Sequence, residues 1–342
     1  MFPMLFSSDV LRRSFGRMLD HAGLAPQEAA WHSVLKGSDL QLRRYDQHAG
    51  TAGAVLIVPA PIKRSYIFDL LPEVSVIRRL TEAGFSVYLS EWREEESASG
   101  DLGASVESLR IALEHIASEH GRAPILVGHS LGGTLAAIAA AMEPHRVDKL
   151  VLIEAPLRFG EHTGALRPIT AFPDSWLFGG SARTIPGSAL DLASVAAAPD
   201  EFSVARWSDA WASLGDAQAL AIHARVIRWS LDEFAPSAAL IGNVIDLLYR
   251  QDQFARNELR LLGRIAGSAS LAEIPVAAIV DHTSRVLPPA STLEPLHSPR
   301  VFSYEPEIGV GLQHVGPLVG RRAHREIWPP LIEWMRGAPR QF

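Results

Sequence analysis

The feature that most constrains the fold is the hexapeptide at residues 128–133 (GHSLGG), which lies between a short apolar run and an alanine-rich helical pattern. A Gly-x-Ser-x-Gly sequence between a strand and a helix is typical of a nucleophile elbow. This is a tight turn that strains the serine backbone and exposes its Oγ. We therefore predict Ser130 as the nucleophile. The backbone N–H of Leu131, at the start of the following helix, is the predicted first oxyanion donor.

Strands and helices alternate on both sides of this turn. Strands separated by helical patterns of roughly 10–15 residues predict parallel βαβ units, and hence a mostly parallel, doubly wound α/β sheet. The predicted strands are 39–45, 53–59, 85–90, 124–127, 149–153, 274–280 and 300–304, the first of them an antiparallel edge strand. The predicted helices are 74–82, 104–119, 131–142 and 322–335.

The alternation breaks in the middle of the chain. Residues 156–270 read as helical or irregular, which predicts a helical cap inserted into a core formed by residues 38–155 and 271–342. Residues 1–37 are predicted as a helical N-terminal extension. Five aromatic residues of the insertion are assigned either to an apolar acyl tunnel or to the insertion's own core: Trp176, Trp207, Trp211, Trp229 and Phe234.

A serine nucleophile requires a base and an acid, and in this arrangement they follow it along the chain in the order acid, then histidine. Asp281 ends the strand predicted at 274–280, at the edge of the sheet where catalytic groups gather. His314 lies between the last strand and the last helix. We predict that His314 takes the proton of Ser130 and that Asp281 orients its ring.

Other residues compete for these roles. Glu154 ends the strand predicted at 149–153 and is the alternative acid. His282, His297 and His324 are alternative bases, but their positions favour structural roles. His129, inside the elbow, is interpreted as a packed or solvent-facing residue.

The loop after the strand predicted at 53–59 reads PAPIKR at residues 59–64. Such a loop supplies the second oxyanion donor, and because proline has no N–H, Ala60 and Ile62 are the candidates. Lys63 and Arg64 are interpreted either as an attraction for an anionic substrate or as solvated surface.

Composition excludes several other classes of function. With no cysteine, the chain has no disulfide, catalytic thiol or thiolate metal site, which is compatible with a reducing cytoplasm. A net charge of −6 does not favour nucleic-acid binding. The 13 histidines form no metal-ligand pattern, and nucleotide-binding glycine loops are absent, so we expect no cofactor and no metal. The N-terminus does not read as a secretory signal, and the longest uncharged stretch, 123–142, is interrupted by the elbow, so no transmembrane segment is expected.

Beyond the elbow, several motifs resemble those of the polyhydroxyalkanoate (PHA) synthases, most closely the short synthases that work with a partner subunit. The similar segments are 58–72, 75–80, 84–93, 229–232, 246–259, 281–289 and 314–316. The resemblance implies an α/β-hydrolase fold with a helical cap, and it implies acyl chemistry on hydroxyacyl thioesters or polyesters. It also implies the same nucleophile, acid and base: Ser130, Asp281 and His314. A homodimer or a complex with a partner subunit is implied in the same way.

The sequence departs from the synthases at the nucleophile, because they use cysteine where this chain has Ser130. A thiolate exchanges acyl groups readily, whereas a serine ester is usually discharged to water. We therefore expect a cytoplasmic serine hydrolase of a hydroxyacyl ester or thioester. The alternatives are a synthase-like acyltransferase or polymerase using acyl-CoA, and a non-catalytic scaffold that binds a polyester granule or a partner.

Overall fold

The structure is a computed structural model that describes residues 2–45, 51–94, 100–171 and 183–338. The described strands are β1 (His32–Lys36), β2 (Leu40–Arg44), β3 (Gly53–Val58), β4 (Phe85–Trp92), β5 (Ile125–His129), β6 (Leu150–Ile153), β7 (Leu259–Leu261), β8 (Arg264–Ala266), β9 (Val276–Asp281) and β10 (Arg300–Tyr304). Eight of them form one sheet in the order β1-β2-β4-β3-β5-β6-β9-β10, while β7 and β8 form a separate hairpin.

The sheet is parallel from β4 to β10, and β1 and β2 run antiparallel at one side. This confirms the mostly parallel sheet predicted from the alternating pattern. The chain passes from β3 outward to β4 and then returns to place β5 on the other side of β3. At such a reversal the loops after neighbouring strands diverge and leave a crevice at the carboxyl ends. Val58, at the end of β3, is paired with Gly128 of β5, so the elbow begins at this crevice.

The described helices are α1 (Phe2–Leu19), α2 (Val76–Glu82), α3 (Leu102–His120), α4 (Leu131–Met142), α5 (Gly187–Ala197), α6 (Ala205–Ser213), α7 (Ala217–Ser230), α8 (Ala238–Asn243), α9 (Pro289–Leu293), α10 (Gly316–Val319), α11 (Arg321–Glu326) and α12 (Trp328–Arg336). Helix α4 has the predicted bounds. The single helix predicted at 322–335 is two helices, because Pro329 and Pro330 lack the N–H that an uninterrupted helix requires and instead occupy the first turn of α12.

The core lies on both faces of the sheet, and β3 shows why. Successive side chains of a strand point to opposite faces. Leu56 belongs to the apolar cluster that contains Leu135 of α4. The next residue, Ile57, belongs to the cluster on the other face, with Ile77 of α2 and Trp328 of α12. Strands buried on both faces hold the crevice in a rigid framework.

The N-terminal extension was predicted as helical through residue 37, and this is wrong for its last part. Helix α1 ends at Leu19, and His32–Lys36 forms β1, which pairs antiparallel with β2. The strand predicted at 39–45 is therefore not at the edge of the sheet, because β1 covers it. Adjacent Val34 and Leu35 do not follow strand alternation, so the pairing with β2 decides this structure rather than local pattern.

Between β6 and β9 the chain forms α5 to α8, the β7–β8 hairpin and several short 3₁₀ and π turns. Helix α1 packs against this inserted segment (residues 156–270). The carboxylate of Asp9, which is fully buried, accepts hydrogen bonds of 2.9 Å from the backbone N–H groups of Gly187 and Ser188 at the start of α5. The division of the chain into an extension, a core and a cap stays a prediction.

Candidate active site

Ser130 occupies a backbone conformation that few residues other than glycine adopt. Its φ is 54° and its ψ is −134°, directly between β5 and α4. A conformation of this kind costs on the order of 1–3 kcal/mol and persists only where the surrounding structure enforces it. The neighbouring glycines let the surrounding backbone approach closely enough to hold this conformation. A Cβ on Gly128 would lie 2.4 Å from Cα of Gly133, and one on Gly132 would lie 2.3 Å from the carbonyl oxygen of Val58.

The residues predicted as oxyanion donors lie at the same crevice. Leu131 is the first residue of α4, and the N–H groups of a first helical turn have no acceptor within the helix. Ala60 and Ile62 line the same cavity as Ser130 and Leu131. The loop that carries them is fixed by the indole N–H of Trp92, which donates a 2.7 Å hydrogen bond to the carbonyl of Pro59. The assignment of the second donor to Ala60 or Ile62 stays a prediction.

His314 lies in a short turn (Gln313–Val315) before α10 and lines the cavity with Ser130. Its Nδ1 is buried and has no hydrogen-bond partner. Burial lowers the pKa of His314 from 6.5 to about 4, so the ring is neutral at physiological pH. A neutral imidazole is the form that accepts a proton from a serine hydroxyl.

His129 supports the His314 turn, a role that the sequence analysis missed. The Nε2 of His129 lies 3.0 Å from the backbone carbonyl oxygen of His314, and the two rings are 4.8 Å apart between centroids. Burial, followed by the proximity of His314, lowers the pKa of His129 to about 3, so this ring is also neutral and Nε2–H is the donor. The variable position of the elbow motif offered no signal for this contact, because the partner lies 185 residues away.

Asp281 and Glu154 stand side by side at the ends of β9 and β6. The backbone N–H of Asp281 donates a 2.6 Å hydrogen bond to Oε1 of Glu154. Asp281 Oδ1 accepts 2.7 Å hydrogen bonds from the backbone N–H and the hydroxyl of Thr283. The carboxyl group facing His314 belongs to Glu154, whose Oε2 lies 3.8 Å from Nδ1. Among the described residues no ion pair joins Asp281 to His314.

Glu154 has two unusual properties. It is a non-glycine residue with a φ of 45°, and only 1% of it is exposed. Its pKa is raised to about 8, mainly by burial; the hydrogen bond from the Asp281 N–H lowers it, and the nearby Asp281 carboxylate raises it. A buried carboxyl with a raised pKa next to a histidine is typical of functional sites.

The three alternative bases do not line the cavity. His282 is exposed and lies 3.2 Å from the hydroxyl of Ser303. His324 is buried, and its ring contacts Arg79 and the carbonyl of Leu318. His297 is exposed.

The cavity above Ser130 has a volume of about 450 Å³. Its lining is mostly apolar and comes from the β3 loop, from the His314 turn and from the inserted segment. The insertion contributes Leu166, Ile185, Leu190, Phe202, Trp229 and Tyr249, among others. Of the five aromatic residues singled out from the sequence, Trp229 lines the cavity, Trp207 and Trp211 are 73% exposed, Phe234 is buried away from the cavity lining, and Trp176 lies outside the described residues.

The sequence analysis left open whether Lys63 and Arg64 are solvated surface residues. In the structure both side chains pair with carboxylates. The ammonium of Lys63 lies 2.7 Å from Glu233 Oε2, and the Arg64 guanidinium pairs with Glu94. Glu233 is fully buried in the inserted segment, so the Lys63 pair holds the loop at residues 59–64 against that segment.

No cluster of three or more His, Cys, Asp or Glu side chains within the described ranges is arranged to hold a metal ion. No helix formed by those residues has the length and apolar character needed to cross a membrane.

A parallel sheet that carries a serine on such a turn is the architecture of the α/β-hydrolases. The chain belongs to the alpha/beta hydrolase family, whose model matches residues 48–302, and it is an enzyme of that superfamily. It is 28% identical to "Poly(3-hydroxyalkanoate) polymerase subunit PhaC" of Haloferax mediterranei, over 98% of this chain and 72% of that protein. It is 23% identical to the protein of the same name from Thiocystis violacea, over 92% of this chain and 88% of that protein. These matches confirm the resemblance to PHA synthases.

Solved structures agree on the fold. A hydrolase from Pseudomonas aeruginosa aligns with a TM-score of 0.52 at 15% identity, covering 90% of this chain and 98% of that one. The monoacylglycerol lipase of Paleococcus ferrophilus aligns with a TM-score of 0.51 at 16% identity, covering 87% of this chain and 98% of that one.

Proposed function

We propose that the protein is a serine-dependent hydrolase of hydroxyacyl esters or thioesters. The observation that carries this proposal is the strained Ser130 at the N-terminus of α4, which lines the same mostly apolar cavity as His314. In the reaction, Ser130 Oγ bonds to the acyl carbonyl carbon while His314 takes the hydroxyl proton. The N–H of Leu131 stabilises the oxyanion. His314 then returns the proton to the leaving alcohol or thiol, and water releases the acid from the acyl-enzyme.

Two carboxyls support His314 in this proposal. Glu154 faces Nδ1, and a proton held on Nδ1 leaves Nε2 free to accept the proton of Ser130. Asp281, the acid expected from the sequence, fixes Glu154 through its backbone N–H and lies one strand further along the sheet. Asp281→Asn and Glu154→Gln separate the two roles. If Glu154 orients His314, Glu154→Gln lowers kcat by orders of magnitude and Asp281→Asn lowers it less. If Asp281 orients His314, the larger loss occurs in Asp281→Asn. Equal, small losses in both variants would contradict any role for a carboxyl.

Acyl transfer is the second candidate, because the curated relatives are named as polymerase subunits. Against it stands the serine at the nucleophile position, since a serine ester is a poorer acyl donor than a thioester. The product of the reaction separates the two: free hydroxy acid for hydrolysis, and oligomer for transfer. An acyl-CoA substrate would place either reaction in the cytoplasm.

The first experiment measures release of free CoA from 3-hydroxybutyryl-CoA with a thiol reagent. The protein contains no cysteine, so it adds no background signal. We expect release by the wild type and none by Ser130→Ala. If neither releases CoA, oxygen esters and a fluorophosphonate probe are tested next. Failure of the probe to label Ser130 as well would refute the hydrolase proposal and favour the non-catalytic scaffold.

A further inference from the structure

Arg206, in the inserted segment, lines the same cavity as Ser130. Arg206 lies on α6 and lines the cavity together with Leu190, Asp191 and Phe202. Its Nε is buried and has no hydrogen-bond partner. No ion pair joins its guanidinium to any carboxylate among the described residues.

The carboxylates near Arg206 are already engaged by other cations. Asp191 Oδ2 forms an ion pair with the guanidinium of Arg12 on α1, at 2.9 Å. Glu233 lies between Arg12, at 2.8 Å, and Lys63, at 2.7 Å. This group therefore contains three cations and two carboxylates, and Arg206 is the cation left over.

An unpaired guanidinium on an apolar wall is unfavourable. Burial lowers the pKa of Arg206, which the nearby Asp191 carboxylate opposes, and an arginine stays charged under all ordinary conditions. Removing a charge from water without a hydrogen-bonded counter-ion is unfavourable. A bound anion would offset this cost, and the planar guanidinium fits carboxylate and phosphate oxygens in pairs.

We propose that Arg206 binds an anionic group of the substrate, a carboxylate or a phosphate, while the ester or thioester carbonyl lies at Ser130. The apolar residues of the cavity wall then contact the carbon chain that joins the two groups. This inference rests on the proposed hydrolase function and adds the substrate class to it: acyl compounds with an acidic group as well as the scissile bond.

The test compares two p-nitrophenyl esters that differ only in charge: the mono-p-nitrophenyl ester of suberic acid and its methyl-capped form. We expect wild-type kcat/KM to favour the acidic ester, and Arg206→Gln to reduce this ratio by about 10- to 100-fold, the range for a hydrogen bond to a charged group. The effect should appear in KM, and Arg206→Lys should restore part of it. The matched control is Arg256→Gln, an exposed arginine outside the cavity lining, which should leave the ratio unchanged.

A second pair of substrates identifies the source of the anion. If the anion is a CoA phosphate, Arg206→Gln lowers the preference for butyryl-CoA over butyryl-pantetheine and leaves the ester ratio unchanged. If it is a carboxylate of the acyl chain, Arg206→Gln lowers the ester ratio and leaves the preference for butyryl-CoA over butyryl-pantetheine unchanged. A ratio unchanged by Arg206→Gln in both pairs would overturn the proposal.

Binding to a catalytically inactive protein keeps the inference separate from the hydrolase proposal. Calorimetry on Ser130→Ala measures the affinity for monomethyl suberate, for dimethyl suberate and for inorganic phosphate. We expect an anion to bind, and the added Arg206→Gln substitution to weaken it at least tenfold. If wild-type protein hydrolyses no ester but this binding persists, only the hydrolase function fails. If esters are hydrolysed but no anion binds, only the Arg206 proposal fails.

Discussion

Replacing Glu154 with glutamine tests the buried carboxyl at the end of β6 through its effect on stability. Glu154 is 1% exposed, and burial raises its pKa from the ordinary 4.5 to about 8. The unfolded chain loses this proton near pH 4.5, while the folded chain keeps it to about pH 8. Unfolding therefore releases a proton in this window, and the free energy of unfolding falls as pH rises through it. Since one pKa unit corresponds to about 1.36 kcal/mol, the loss approaches about 5 kcal/mol at pH 8 and above.

Glutamine has nearly the same shape and cannot ionise, so Glu154→Gln should lack this loss. We expect the variant and the wild type to be similarly stable at pH 5, and the variant to be more stable by about 3–5 kcal/mol at pH 8.5. The measurement is urea unfolding of both proteins at pH 5, 6.5 and 8.5. Glu161→Gln, which replaces an exposed carboxyl, is the control and should show no such trend. A stability difference that stays constant with pH would refute the inference that Glu154 holds a proton in the folded protein.

Three further predictions concern the site and its support. Because burial lowers the pKa of His314 to about 4, the ring stays neutral down to that pH. The acidic limb of the pH profile of kcat/KM should therefore fall near pH 4 rather than near pH 6.5. An acidic limb at pH 6.5 would contradict the lowered pKa of His314. His129→Phe removes the hydrogen bond to the His314 carbonyl and should lower kcat about tenfold with little change in KM, whereas His129→Gln should restore part of the loss; a loss confined to KM would argue against positioning. Gly133→Ala places a Cβ 2.4 Å from that of Ala155 and should destabilise the fold by about 1–3 kcal/mol in urea unfolding. Gly215 has open space around it, so Gly215→Ala should not destabilise the fold. Equal effects of the two substitutions would contradict the packing argument.

Much of the fold was predictable because its signals are local. Buried parallel strands are continuous apolar runs, and helices repeat every 3.6 residues, so the alternation from β3 to β6 and the bounds of α4 could be read directly. Strand β1 could not be predicted, because its pattern is weak and its partner in the sheet decides its conformation. The split between α11 and α12 was missed although Pro329 and Pro330 marked it.

The sequence by itself determined the elbow at Ser130, because a strained turn flanked by glycines has a short, specific signature. The assignment of Asp281 as the acid and His314 as the base stays a prediction. Only the tertiary structure decided that Glu154 rather than Asp281 faces Nδ1 of His314, and that Arg206 lines the cavity with no ion-pair partner among the described residues. The physical reason is the distance along the chain: Glu154 and His314 lie 160 positions apart. Their contact depends on strand register and side-chain direction at the sheet edge, which no local pattern encodes.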